Sequence, residues 1–132
     1  MTENLSLAEK TMLLMQDILS VREGIEAALA HAYDSYSFDD VVFKILSGEC
    51  HFYKEDECFT IMQVITYPQY KTYHCFLASG TQEALDDIWE KMQVIAKALN
   101  CTYVTITGRP GWARRLKSRG WVHRYVTMAK EV

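Results

Sequence analysis

The sequence has no long apolar run, no cysteine pair at metal-ligand spacing and few residues that break regular structure. Among 132 residues there are two prolines, Pro68 and Pro110, and six glycines, so collagen-like and low-complexity architectures are excluded. No stretch approaches the ~20 apolar residues that a membrane-spanning helix needs. The first ten residues are polar and acidic and lack the basic start and apolar run of a secretory leader, which points to a cytoplasmic origin. Cys50, Cys58, Cys75 and Cys101 are scattered, without the C-x-x-C pairs typical of zinc sites. Buried free thiols are expected, and no metal. A metal would require Cys50-His51 and His74-Cys75 to meet as ligands across neighbouring strands.

What is present is the composition of an ordinary globular chain, 49% hydrophobic and 23% charged. A chain of this length closes one hydrophobic core without disulfides, so a single domain over 1–132 is expected. The formal net charge of -3 conceals a division: residues 1–108 carry -9 and residues 109–132 carry +6. A basic end of this kind suits a nucleic acid, a cofactor phosphate or an acidic protein neighbour, or it pairs with the acidic remainder of its own domain.

Hydrophobic periodicity divides the chain into three parts. Residues 1–48 form a helical N-terminal part. Its first helix spans Leu7 to Leu19 behind a Ser6–Glu9 capping box, and its second runs from Val21 to about Tyr33 behind a Ser20–Glu23 box, weakened by Gly24. The third starts at Ser37, with Asp40 three residues on, and stops at Gly48. Residues 50–78 change to period two: strands at Cys50–Lys54, Cys58–Tyr67 and Lys71–Ala78, with turns at Glu55–Glu57 and Pro68–Gln69, predict an antiparallel meander. Residues 81–132 then read as the rest of a β-α-β-α-β half. A long helix runs from Thr81 to Leu99, with Leu85, Ile88, Trp89, Met92, Ile95, Ala96 and Leu99 on one face. A strand at Thr102–Thr107, a short helix from Pro110 to Arg119 ended by Gly120, and a strand at Trp121–Ala129 follow. The fold class is α/β (α+β) with a mixed sheet, and the first β-α-β step should be a right-handed crossover between parallel strands.

Helices, meander, then strand, long helix, strand, short helix and strand is an order that resembles the GNAT acyltransferases over nearly the whole chain. Leu116-Lys117-Ser118-Arg119-Gly120-Trp121 is similar to that superfamily's short helix running into Gly-Phe, followed by a last strand with Tyr125, Val126 and Met128. The string Gly108-Arg109-Pro110-Gly111-Trp112, with Ser47-Gly48-Glu49 and Tyr67-Pro68 upstream, resembles small GNAT-like proteins encoded among the structural genes of tailed, especially short-tailed, bacteriophages.

The resemblance implies a coenzyme A site where the strand of the meander enters the long helix, at an Arg/Gln-x-x-Gly-x-Gly/Ala loop whose backbone N–H groups hold the pyrophosphate. This sequence departs from that pattern. It reads Ala78-Ser79-Gly80-Thr81-Gln82-Glu83-Ala84, with one glycine of the motif, and Glu83, Asp86 and Asp87 place carboxylates on the first two turns. If a cofactor binds at all, it is around Ser79, Gly80 and Thr81. The tyrosine that protonates the thiolate in many family members falls at Leu116, which donates no proton. Tyr103, Tyr125, His123 and Cys101 are alternatives near the expected cleft, each equally explained by packing, and no catalytic residue is assigned.

The expectation is a noncatalytic GNAT-fold phage protein, located in the host cytoplasm or the virion. It would act in particle assembly or as a minor component through contacts with other phage structural proteins, an acidic surface or DNA. No membrane partner and no cofactor are expected, and self-association is left open. Candidate contact residues are Arg109, Trp112, Arg114, Arg115, Lys117, Arg119 and Arg124. The alternative is an acyl-coenzyme A dependent N-acyltransferase with an altered site for acetyl-CoA.

Overall fold

The computed structural model describes residues 4–132. Three helices come first, α1 (Leu7–Ser20), α2 (Arg22–His31) and α3 (Phe38–Leu46). Strands β1 (His51–Glu55), β2 (Cys58–Thr66) and β3 (Lys71–Ser79) follow, then α4 (Gln82–Ala98), β4 (Tyr103–Ile106) and α5 (Pro110–Lys117). The mixed α/β class follows directly. The sheet has the order β1-β2-β3-β4, antiparallel between its first three strands and parallel between β3 and β4. Among the described residues no helix is long and apolar enough to cross a membrane.

Capping chemistry sets the helix starts. The Ser6 hydroxyl accepts from the Glu9 amide at 3.1 Å. The Ser37 hydroxyl accepts from the Asp40 amide at 3.1 Å while the Asp40 carboxylate accepts from the Ser37 amide at 2.9 Å, and this second bond holds the Asp40 carboxyl below its ordinary pKa. The expected Ser20–Glu23 box is not formed. Ser20 is the last residue of α1, its hydroxyl donating to the Asp17 carbonyl at 2.6 Å, and Val21 stands at the N-cap of α2 with no side-chain bond. Ile18, Val21 and Ile25 are all buried, so the chain keeps turning through the junction with the apolar side chains directed at the core.

The sheet separates two apolar cores. Ile18, Ile25, Leu29, Val41 and Ile45 of the first three helices pack with Phe59, Ile61 and Leu77 on one face. On the other, Leu85, Ile88, Trp89, Met92 and Ala96 of α4 pack with Met62, Tyr73 and Cys75, and Leu116 of α5 joins them. The spacing of the α4 set is that of one helical face, and each such side chain contributes ~1.5–3 kcal/mol by burial. A β-bulge between Ile61 and Met62, opposite Cys75 and Leu77, lets Tyr73 and Cys75 face α4 while Phe76 and Leu77 both face the other core. Buried Tyr73 bonds through its hydroxyl with His51 Nδ1 at 2.6 Å and with the Tyr53 hydroxyl at 2.9 Å, and burial pushes its pKa up.

All four cysteines are free thiols. Cys50 and Cys75 lie in opposite cores, so the two Cys–His dipeptides do not converge. His74 instead bonds through Nδ1 with the Thr105 hydroxyl at 2.9 Å.

The expected strand at Trp121–Ala129 is not formed. Trp121 is held by its amide, which donates to the Leu116 carbonyl at 3.1 Å, and by its ring, 6.1 Å from that of Trp89. Beyond it the chain has no regular structure, and Val122, Tyr125, Val126 and Met128 are 69–89% exposed. Alternation of apolar side chains confers β-propensity, but a strand exists only through its ladder, and no strand edge bonds to this segment. The C-terminal half is therefore β-α-β-α, with residues 122–132 as an exposed arm.

Candidate functional site

Parallel pairing between β3 and β4 runs from Thr72 opposite Tyr103 to Cys75 opposite Ile106. There β4 ends, whereas β3 continues four residues to Ser79 before turning into α4. The two chains diverge beyond this point, at the carboxyl ends of the parallel strands, where open α/β sheets commonly form ligand crevices. A cavity of about 290 Å³ occupies the gap. Ala78, Ser79 and Gly80 line it from β3 and the turn after it, and Ala28 and His31 line it from the end of α2. Trp89 of α4 and Trp112, Arg115 and Leu116 of α5 form the wall opposite.

Gly80 is what lets β3 leave the sheet here. Its φ is +150°, and a Cβ on it would stand 2.5 Å from Cys58 Sγ and 3.3 Å from the Cys58 backbone. Gly80→Ala is expected to destabilise the fold by about 1–3 kcal/mol through this overlap and the unfavourable φ. The check is a urea midpoint shifted down at constant m-value. Just after it, Thr81 caps α4 by accepting from the Ala84 amide at 3.2 Å.

The polar groups of the cleft are largely committed to each other. Asp86 Oδ2 accepts from Arg115 at 2.5 Å and from Arg119 at 2.8 Å, with the Asp86 side chain only 15% exposed. Arg115 Nε is buried and has no acceptor among the described residues. Arg109 donates to His31 Nε2 at 3.2 Å, which requires the neutral imidazole tautomer with its proton on Nδ1. His31 and Asp86 are thus each bound to a guanidinium.

No family model, curated protein or solved structure matches this chain.

The residues singled out in the sequence distribute unevenly. Ser79, Gly80, Arg109, Trp112 and Arg115 line the cleft, but Thr81 does not. Trp112 is half-buried, packed at 6.1 Å from the Trp89 ring against the second core, so it is a core anchor and not a free contact aromatic. Arg119 is tied to Asp86. Arg114 and Lys117 are exposed and form no ion pair among the described residues. Arg124 lies away from the cleft, its guanidinium 4.2 Å above the Tyr103 ring and donating to the Tyr70 hydroxyl at 3.3 Å.

Of the four alternative catalytic residues, none lines the cleft. Cys101 and Tyr103 sit at the opposite end of β4, and His123 and Tyr125 are exposed on the arm. Leu116 does line it, and brings an apolar side chain to the wall. Sequence reading missed His31, which reaches the cleft from a helix more than 40 residues away from any other lining residue of the sheet. Trp89, read from the sequence only as part of the apolar face of the long helix, also lines the cleft.

The residues present do not fit the pyrophosphate of coenzyme A. Asp86 puts a carboxylate at the cleft and takes up both Arg115 and Arg119, leaving Arg109 as the one lining guanidinium outside that cluster. Glu83 adds a further negative charge in the first turn of α4.

Proposed function

We propose that this chain is a noncatalytic GNAT-fold protein of a tailed bacteriophage, acting in particle assembly or as a minor virion component through protein–protein contacts. The observation that carries the noncatalytic reading is the pairing of Asp86 with Arg115 and Arg119 inside the cleft, which neutralises the charges an anionic cofactor would need. Leu116 in the cleft wall supplies no proton to a leaving thiolate. The exposed cations Arg114 and Lys117 and the exposed apolar arm are then the surfaces available to partners. The string Gly108-Arg109-Pro110-Gly111-Trp112 is the reason to seek those partners among phage structural proteins, with DNA or an acidic subunit surface as what the cations would meet. Co-purification with empty or full particles tests this. The reading expects the chain in particles or assembly intermediates, and absence from both overturns it.

A second reading, an acyltransferase with an altered acetyl-CoA site, is favoured by one observation, the cavity at the diverging ends of β3 and β4. A shared architecture does not establish shared chemistry.

A further inference from the structure

At the end of the sheet opposite the cleft, three tyrosines and an arginine stand in a row. The turn between β2 and β3 is closed by the Tyr67 amide, which donates to the Tyr70 carbonyl at 2.8 Å, and the two rings lie 5.5 Å apart. Tyr70 in turn meets Tyr103, the first residue of β4, edge to face at 5.2 Å. The Arg124 guanidinium lies 4.2 Å above the Tyr103 ring and donates to the Tyr70 hydroxyl at 3.3 Å. None of the three tyrosines belongs to either apolar core, and Tyr67 and Tyr103 stay 44% and 42% exposed. Core packing therefore does not account for them.

The charge around the row has one sign. No aspartate or glutamate occurs between Cys58 and Gln82 or between Lys91 and Lys130, the stretches that build this end of the sheet. Of the acids that border them, Glu57 and Glu83 lie at the other end, in the β1–β2 turn and at the start of α4, and Glu90 lies about two turns before Lys97 on α4. Lys71 follows Tyr70 directly. Lys97, in the last turn of α4, is brought to the same end by backbone bonds: the Cys101 amide donates to the Ala96 carbonyl at 2.9 Å, and the Thr102 amide to the Lys71 carbonyl at 2.8 Å. Lys71, Lys97 and Arg124 form no ion pair among the described residues.

Exposed aromatic rings beside unpaired cations suit one ligand chemistry in particular. Nucleobases stack on tyrosine rings and on guanidinium planes, and the phosphates between them are neutralised by flanking lysine and arginine. A duplex keeps its base faces stacked inside, so only an unpaired strand can use the rings. We infer that Tyr67, Tyr70 and Tyr103 with Arg124 form a docking surface for a single-stranded polynucleotide, whose bases stack on Tyr67 and Tyr103 and whose phosphates meet Lys71, Lys97 and Arg124. An acidic protein surface would engage the cations and leave the rings idle. Neither stacking nor phosphate contact uses the sugar 2′-hydroxyl, so deoxyribose and ribose strands bind alike. This surface is separate from the cleft and from α5, and its activity does not depend on whether the chain resides in particles.

Fluorescence anisotropy of labelled oligothymidylate and oligouridylate of about 12 nucleotides should rise on titration with the intact chain at low salt, and a duplex of that length should bind at least about ten-fold more weakly. Tyr67→Ala and Tyr103→Ala should each weaken strand binding about 5- to 150-fold, the loss expected for one stacked base, and Tyr67→Phe should keep the parent affinity. Arg124→Gln should lower the affinity and flatten its dependence on salt. Because Tyr67 is exposed and outside both cores, Tyr67→Ala should melt with the parent, which separates lost stacking from a lost fold. The double variant Arg114→Ala, Lys117→Ala should bind as the parent does. The inference is overturned by an unchanged anisotropy, by a duplex bound as tightly as the strand, or by tyrosine variants that bind like the parent. It is equally overturned if polyglutamate binds as tightly as the strand, which would assign the surface to an acidic protein.

Discussion

Trp89→Ala should be the most damaging single substitution in the second core, lowering folding stability by about 3–5 kcal/mol, as expected for truncating a buried aromatic. Trp89 is 4% exposed, and its ring stands 6.1 Å from both Trp112 and Trp121. It thus joins α4 to α5 and to the start of the arm, so truncation removes contacts on both sides and enlarges the cleft cavity. The neighbouring Trp112→Ala should have a smaller effect because Trp112 is only half-buried. Urea unfolding of the two variants checks the order. Equal losses would mean that α5 is held by other contacts than the tryptophan cluster.

Asp86→Ala should destabilise the protein by about 1–3 kcal/mol, since it leaves the partly buried Arg115 guanidinium without its carboxylate. This figure lies below that for a fully buried pair because Arg115 is 31% and Arg119 50% exposed, and solvent screens both. The same change should have an opposite consequence for binding. Two guanidiniums are released beside the N-terminus of α4, so millimolar pyrophosphate should raise the melting temperature of the variant while leaving that of the native chain unchanged. A variant as stable as the parent, and as indifferent to pyrophosphate, would show that the Asp86 pairs are not what occupies the cleft.

Much of the fold was legible because its causes are local. Ser6 with Glu9 and Ser37 with Asp40 are bonded as their spacing predicts, and the helical face of α4 and the period-two strands of the meander are written in consecutive residues. Failures occurred where a distant partner decides. The Ser20–Glu23 spacing fits a capping box, but burial of Val21 between Ile18 and Ile25 outweighs it. Trp121–Ala129 alternates like a strand, but the ladder that would make it one has to come from outside the segment. At the cleft, the basic character of α5 was visible, whereas the pairing of Arg115 and Arg119 with Asp86 spans about thirty residues and depends on α4 and α5 packing side by side. His31 carries no local signal at all, because only the packing of α2 against β3 brings it to Arg109.

The proposal that this cleft takes up no coenzyme is tested most directly by thermal unfolding of the intact chain with and without millimolar acetyl-CoA. A ligand at 100 times its dissociation constant adds roughly 2.7 kcal/mol to stability, a shift of several degrees for a domain of this size. With Asp86 holding Arg115 and Arg119, the melting temperature should not move. A rise of several degrees would show that the cleft binds the coenzyme despite its internal ion pairs, and would contradict the noncatalytic reading in favour of the acyltransferase.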